Sequence, residues 1–303
     1  MKSKINIANA PCSWGVLEFD LEGESLGYAQ VLDEIAETGY AGTELGDWGF
    51  MPTEPQELQR QIHQRQLTLL GAFVPVALLH QDRWAEGAAR AVKTAGLMHD
   101  AGYPDAFIVL ADENGSVPER TKHAGRITAS QMLDPEQYLT IARGAETVAR
   151  AVKEAYGMRT VIHHHGAGYI ETPKEIDLLL QHTDPSLVGL CFDTGHYRLG
   201  GGQDVVGFMR RHYDRIWHVH FKDFSPTLAQ KAAEQQWDYF QAVQNGIFCE
   251  LGQGDVPFAA VKDLLIQQNY SGWIVVEQDV LPGMGKPKLC ALNNRRYLNN
   301  IGL

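Results

Sequence analysis

Short apolar runs rich in β-branched residues recur along the chain, with helical patterns between them. The runs are INIANA at 5–10, LTLLGAFVPV at 67–76, AFIVLAD at 106–112, RTVIHHH at 159–165, LVGLCFD at 187–193, IWHVHFKD at 216–223 and GWIVVEQD at 272–279. A shorter run, GTELG at 42–46, follows a helix predicted over 26–38 and closed by Gly39. Further helices are predicted near 54–66, 83–101, 135–156, 173–182, 204–213, 257–269 and 288–299. Strands alternating with helices predict a parallel sheet. Eight such units in 303 residues match a single (β/α)8 barrel spanning 1–303, and no Pro/Gly/Ser-rich linker divides the chain. An open doubly wound sheet would carry a Gly-rich turn after the first strand. Here that turn reads APCSWG, which has no GxGxxG phosphate cradle.

Two connections stand out by length, at about 113–133 and 224–257. Both follow strands, so both would rise over the catalytic face of a barrel as lids or subunit contacts. The second contains QKAAEQQWDYFQAVQNG, whose periodicity predicts a helix packed across the barrel mouth. A homo-oligomer, dimer or tetramer, is the expected assembly.

Composition narrows the function. Hydrophobic residues make up 44% of the chain and charged residues 21%, as in ordinary globular proteins. The formal charge of −11 repels phosphate backbones and anionic lipid at long range, so neither nucleic acid nor membrane is expected as a partner. Cys12, Cys191, Cys249 and Cys290 form no CxxC pair and read as free thiols in a reducing cytoplasm. The first fifteen residues, MKSKINIANAPCSWG, lack a signal-peptide core, and no stretch approaches the ~18 apolar residues of a membrane span.

In a (β/α)8 enzyme the chemistry sits where strands end. The fifth run ends in His163, His164 and His165, the sixth in Asp193 with His196 just beyond, the seventh in His218, His220 and Lys222, and the eighth in Glu277. Alternation along a strand groups His163 with His165 and His218 with His220, and turns His164 to the other face. A carboxylate such as Asp193 at the tip of a buried strand must be solvated, paired or bound to a metal. Imidazole and carboxylate together suit Mn²⁺, Co²⁺ or Zn²⁺ better than calcium, which prefers oxygen alone.

The stretches DTGH at 193–196, HVHFKD at 218–223 and VVEQD at 275–279 resemble the xylose isomerase-like (β/α)8 superfamily. APCSWG, GTELG and HHHGAGYIETPKEI make the chain most similar, within it, to the inosose (2-keto-myo-inositol) dehydratases and their close relatives. The resemblance implies a divalent metal held by Asp193, His220 and Glu277. The superfamily's usual Glu on the fifth strand is replaced here by histidines, so His163, His165 or the later Glu171 would supply the fourth ligand, with His163 favoured by strand position. The metal implied is Mn²⁺ or Co²⁺, with Zn²⁺ or Mg²⁺ as alternatives.

His196 matches a position that contacts substrate oxygens in these families, or it orients a ligand carboxylate. Lys222 would steady an enolate oxygen or pair with Asp223 or Asp193. Glu44 would face the pocket or cap the next segment, and Trp14 would wall the pocket or pack in the core. Arg198 is a rim candidate for polyol hydroxyls, and Arg120, Lys122 and Arg126 could clamp an anion. His165, Glu171, His196 and Lys222 are the candidate acids and bases. The implied reaction is dehydration of 2-keto-myo-inositol in inositol catabolism, by proton abstraction next to the ketone and loss of a β-hydroxyl. The alternative on the same scaffold is a metal-dependent ketose epimerase or isomerase. The charge of −11 counts against an endonuclease of the superfamily, and the intact Asp193, His220 and Glu277 count against a non-catalytic sugar binder.

Overall fold

The apolar runs become strands β1 (Asn6–Asn9), β2 (Gly42–Thr43), β3 (Thr68–Leu69), β4 (Gly71–Pro75), β5 (Phe107–Ala111), β6 (Arg159–His163), β7 (Val188–Asp193), β8 (Ile216–Phe221) and, after a small hairpin, β11 (Trp273–Val276). The hairpin pairs β9 (Asp223–Phe224) with β10 (Phe248–Cys249), antiparallel. The helices are α1 (Tyr28–Glu37), α2 (Pro55–His63), α3 (Trp84–Asp100), α4 (Pro118–Lys122), α5 (Pro135–Tyr156), α6 (Pro173–His182), α7 (Thr194–Leu199), α8 (Val205–Arg211), α9 (Pro226–Gln235), α10 (Tyr239–Gln244), α11 (Phe258–Gln267) and α12 (Pro287–Asn300). This computed structural model describes residues 5–16, 26–112 and 114–303. Glu113, where the first long connection begins, and residues 1–4 of the N-terminal stretch lie outside the described residues.

The sheet runs β3-β2-β1-β11-β8-β7-β6-β5-β4, all parallel. Its two ends, β3 and β4, are halves of one strand separated only by Leu70. Leu70 donates its N–H to Thr43 and accepts from Phe107, so it joins β2 to β5 and closes the barrel. The sequence's third run is thus one staved element with a break at its centre.

Strand parity decides what faces the lumen. Ile108 and Leu110, Leu190 and Phe192, Val219 and Phe221, and Ile274 and Val276 pack outward with the helices in the main core. Burying each of these side chains is worth about 1.5–3 kcal/mol. The opposite parity gives small lumen clusters: Phe107, Val109, Val161 and Cys191 in one, Ala8, Ala10, Leu70 and Val275 in another. Continued toward the C-terminal strand ends, that inward parity delivers His163 and His165, Asp193, His220 and Lys222, and Glu277 and Asp279. The apolar alternation that makes the barrel therefore also aims the polar residues.

Helix starts are fixed by side chains. Asp134 and Gln137 form a capping box ahead of Pro135 on α5, and Thr172 and Glu175 do so ahead of Pro173 on α6. Asp193 caps α7, accepting from His196 N at 2.8 Å.

The predicted single helix in the second connection is two helices. Gln236 adopts φ +55, which ends α9, and Asp238 with Gln241 caps α10 afresh. Tyr239, Ala242, Val243, Ile247 and Phe248 of this connection form a separate apolar cluster with Ala124, Ala167 and Leu199. Among the described residues no helix is long and apolar enough to cross a membrane.

Candidate active site and metal centre

At the C-terminal strand ends, one ligand atom each from His163, Asp193, His220 and Glu277 lies within 4.8 Å of the others, and all four residues are buried. His163 Nε2 is 3.7 Å from Asp193 Oδ2, His220 Nδ1 is 3.8 Å from the same oxygen, and His220 Nδ1 is 3.2 Å from Glu277 Oε2. Both ring nitrogens of His163, Asp193 Oδ2 and His220 Nδ1 make no hydrogen bond. Buried polar atoms are normally satisfied, so lone pairs facing one another across a few ångströms make this cluster a candidate cation site. Asp193 divides its labour, since Oδ1 caps α7 while Oδ2 faces the cluster.

Lys222 reaches into the same space. Its Nζ is 3.4 Å from Asp193 Oδ2, 3.1 Å from Glu277 Oε2, 2.9 Å from Asp279 Oδ1 and 2.9 Å from His196 Nε2. Burial alone would lower the lysine's pKa, but Asp193, Asp279 and Glu277 outweigh it and hold the ammonium well above its ordinary value. Burial would likewise raise Asp193, yet Lys222 and His196 hold it well below the usual carboxylate range. Three buried carboxylates, Asp193, Glu277 and Asp279, gather around this one ammonium. That acidic excess suits a divalent cation. Gly195 of the DTGH stretch is required by the close passage of β8, because a Cβ there would meet Lys222 Cγ at 2.6 Å.

His165 lines the pocket beside the quartet. Its Nδ1 lies 2.6 Å from the Gly166 carbonyl, which can only accept, so Nδ1 carries the proton and Nε2 holds the lone pair. Burial and the neighbouring His163 push its pKa down to about 4, so the ring is neutral at pH 7. His164 faces the other way, as its parity predicts: its Nε2 accepts from Asp193 N at 3.2 Å, bracing β6 against β7.

A family profile described as "Xylose isomerase-like TIM barrel" matches residues 32–291. The chain belongs to the xylose isomerase-like TIM barrel family. It is similar to the inosose dehydratase of Geobacillus kaustophilus, with 31% identity covering 97% of this chain and 94% of that protein. It is also similar to the inosose dehydratase of Clostridium tetani, with 28% identity covering 98% and 97%. Among solved structures, a probable 3-DHS dehydratase from Bacillus anthracis superposes with TM-score 0.70 at 13% identity, covering 98% of this chain and 99% of that one. The 3-keto-D-glucoside 4-epimerase of E. coli superposes with TM-score 0.68 at 14% identity, covering 98% and 100%. Those two share the fold.

Within this xylose isomerase-like barrel the structure separates the sequence candidates. His163, His165, His220, Lys222, Glu277 and Glu44 line one pocket at the barrel mouth. His196 is fully buried behind Lys222, with its Nδ1 accepting from Gly166 N at 3.2 Å. Three candidates lie elsewhere. Glu171 accepts Gly125 N at 2.7 Å and Ala167 N at 2.9 Å, clasping the first connection to the segment after β6, so it is not a fourth ligand. Burial pushes its carboxyl up to about 7 against Arg120 and the two N–H donors. Trp14 packs in the main core and donates to Glu34 at 2.7 Å. Arg198 pairs with Asp255 at 2.5 Å and donates to the Gly202 carbonyl at 2.5 Å, away from the pocket.

Nor does Arg120 clamp an anion at the pocket. It is buried in an ion pair with Glu175 of α6. Arg126 donates to the Lys122 and Trp237 carbonyls. Asp223, considered as a partner of Lys222, instead accepts Phe224, Gly252, Gly254 and Val256 backbone N–H groups and pins the second connection.

Sequence reasoning passed over Asp279 and Tyr239. Asp279 lies two residues beyond Glu277 in VVEQD, so period-2 alternation applied one step further would have found it. Tyr239 donates to Asp279 Oδ2 at 3.1 Å from the second connection, a placement no local pattern encodes.

Proposed function

We propose that this protein is a divalent-metal-dependent hydro-lyase that dehydrates 2-keto-myo-inositol, as a step of inositol catabolism. The observation that carries the proposal is the quartet His163, Asp193, His220 and Glu277, in which the facing atoms of His163, Asp193 and His220 lack hydrogen bonds, in a chain 31% identical to an inosose dehydratase over 97% of its length. The donor set fits Mn²⁺ or Co²⁺, with Zn²⁺ or Mg²⁺ as alternatives. When bound there, the ion polarises the ketone and makes the neighbouring C–H more acidic.

The chain's own residues do the rest. His165 Nε2, the lone-pair nitrogen at the pocket wall, takes the proton from the carbon beside the ketone. Lys222, held charged by three carboxylates, stabilises the enolate oxygen as negative charge develops. The imidazolium of His165 then returns its proton to the departing β-hydroxyl, so one C–H and one C–O bond break, a C=C bond forms and water leaves. Asp279 holds the lysine head in place. Tyr239 and Phe248 cover this corner from the second connection, the Phe248 ring lying 5.0 Å from Lys222 Nζ, and so keep water from competing.

The test is to incubate the Mn²⁺- or Co²⁺-loaded protein with 2-keto-myo-inositol and follow the ultraviolet absorbance of the conjugated enol of the diketone product. A metal-dependent rise is expected. No rise, with exchange of the α-proton for deuterium in D2O, would replace dehydration by epimerisation or isomerisation.

A further inference from the structure

Glu44 and His218 lie beneath the quartet, and no step above uses them. Glu44 crosses the lumen from the end of β2 to β8, where its Oε1 is 3.0 Å from His220 Nε2 and 2.7 Å from His218 Nε2. Glu44, His218 and His220 are all buried, and a Cβ on Gly71 would come within 3.6 Å of Glu44 Oε1.

An ionised carboxylate only accepts hydrogen bonds, so both Nε2 atoms carry the proton that points at it. For His220 this settles the other nitrogen. Nδ1 becomes the ligand atom of the neutral ring, and Nδ1 is the nitrogen that faces Asp193 and Glu277 without a hydrogen bond. The His218 and His220 rings stand 75° apart with centroids 5.1 Å apart, so one oxygen braces two differently oriented rings and cannot slide toward either.

We propose that Glu44 is the positioning residue of the metal centre: it fixes the tautomer and rotation of His220 so that Nδ1 is presented to the cation, and His218 braces Glu44 from below. The inference rests on the quartet being the metal site. It assigns Glu44 to orientation of a ligand, where facing the pocket or capping the next segment was expected of it. It also adds a negative charge one imidazole away from the ion, raising the basicity of the His220 ring.

The experiment uses the full chain stripped with chelator and titrated with Mn²⁺, free ion being read by electron paramagnetic resonance. Loss of a hydrogen-bond partner of a metal-ligating histidine typically costs about 10–100-fold in affinity. E44A should fall in that range, whereas E44Q, which keeps an acceptor oxygen for both rings, should recover most of it. Nitrogen-15 spectra of the Zn²⁺-loaded wild type provide a readout that needs no variant. They should show His220 protonated at Nε2 and metal-bound at Nδ1. Wild-type affinity in E44A, or metal bound at His220 Nε2, would overturn the inference alone. A wild type that took up no Mn²⁺ would overturn the metal centre and this inference with it.

Discussion

Arg120 and Glu175 are almost completely enclosed, with 1% and 0% of their side chains exposed, and meet through two parallel contacts of 2.9 Å each. Arg120 Nε also donates to the Gly168 carbonyl at 2.8 Å, so the pair ties α4 to the segment between β6 and α6. In an Arg120→Met variant the methionine fills similar volume, but the Glu175 carboxylate is left buried without its cation. Breaking a buried pair in this way costs about 3–5 kcal/mol. Glu175 keeps three donors, Tyr138 OH at 2.9 Å, Glu171 N at 3.0 Å and Thr172 N at 2.8 Å, which places the cost near the low end, about 3 kcal/mol. For 303 residues, an unfolding entropy of about 2.1 cal/mol/K per residue converts this to a drop of about 5 °C in the melting temperature. Urea unfolding followed by circular dichroism at pH 7.5 and pH 5 is the assay. The penalty should shrink at pH 5, where the stranded carboxylate can escape by taking up a proton. Arg60→Met, which breaks the exposed pair with Glu57, is the control and should leave the midpoint unmoved. A loss in Arg120→Met under about 1 kcal/mol, or one unchanged between the two pH values, would refute the account of a buried charge pair.

Glu171 carries a pH signature of the same sign in the wild type. Its carboxyl is raised from 4.5 to about 7, so the folded state holds a proton that the unfolded state has released; stability is full below pH 4.5 and falls as pH rises through 7. Unfolding free energy of the wild type, measured against Glu171→Gln across that window, should fall by about 3 kcal/mol, and a flat difference would show the carboxyl to be ionised throughout. In Asp193→Asn the amide oxygen can still cap α7, while the atom facing the quartet becomes an NH2 group that cannot bind a cation. Metal content by mass spectrometry should fall at least about tenfold with the melting curve of the apo protein unchanged, and retained metal would remove Asp193 from the ligand set.

The barrel was legible because one alternation serves two purposes. The period that sends Ile108, Leu190, Val219 and Ile274 outward also sends Asp193, His220 and Glu277 inward, so reading the strands was enough to group the inward-facing residues at one end. Candidates beyond the strand ends fared differently. Glu171, Trp14 and Arg198 sit in loops or short helices, where no fixed period links sequence to direction, and each found a partner outside the pocket. Glu44 was legible as a pocket-facing carboxylate, but its bond to His220 joins residues 176 positions apart and exists only once the barrel has closed.

The cluster that Tyr239, Val243 and Phe248 make with Ala124 and Leu199 is separate from the main core. The roof over the chemistry is therefore held mainly by its own interior, while the walls and floor hold themselves. A roof of that construction can be exchanged in evolution as a unit, altering what fits beneath it without disturbing His163, Asp193, His220 and Glu277 at the strand ends.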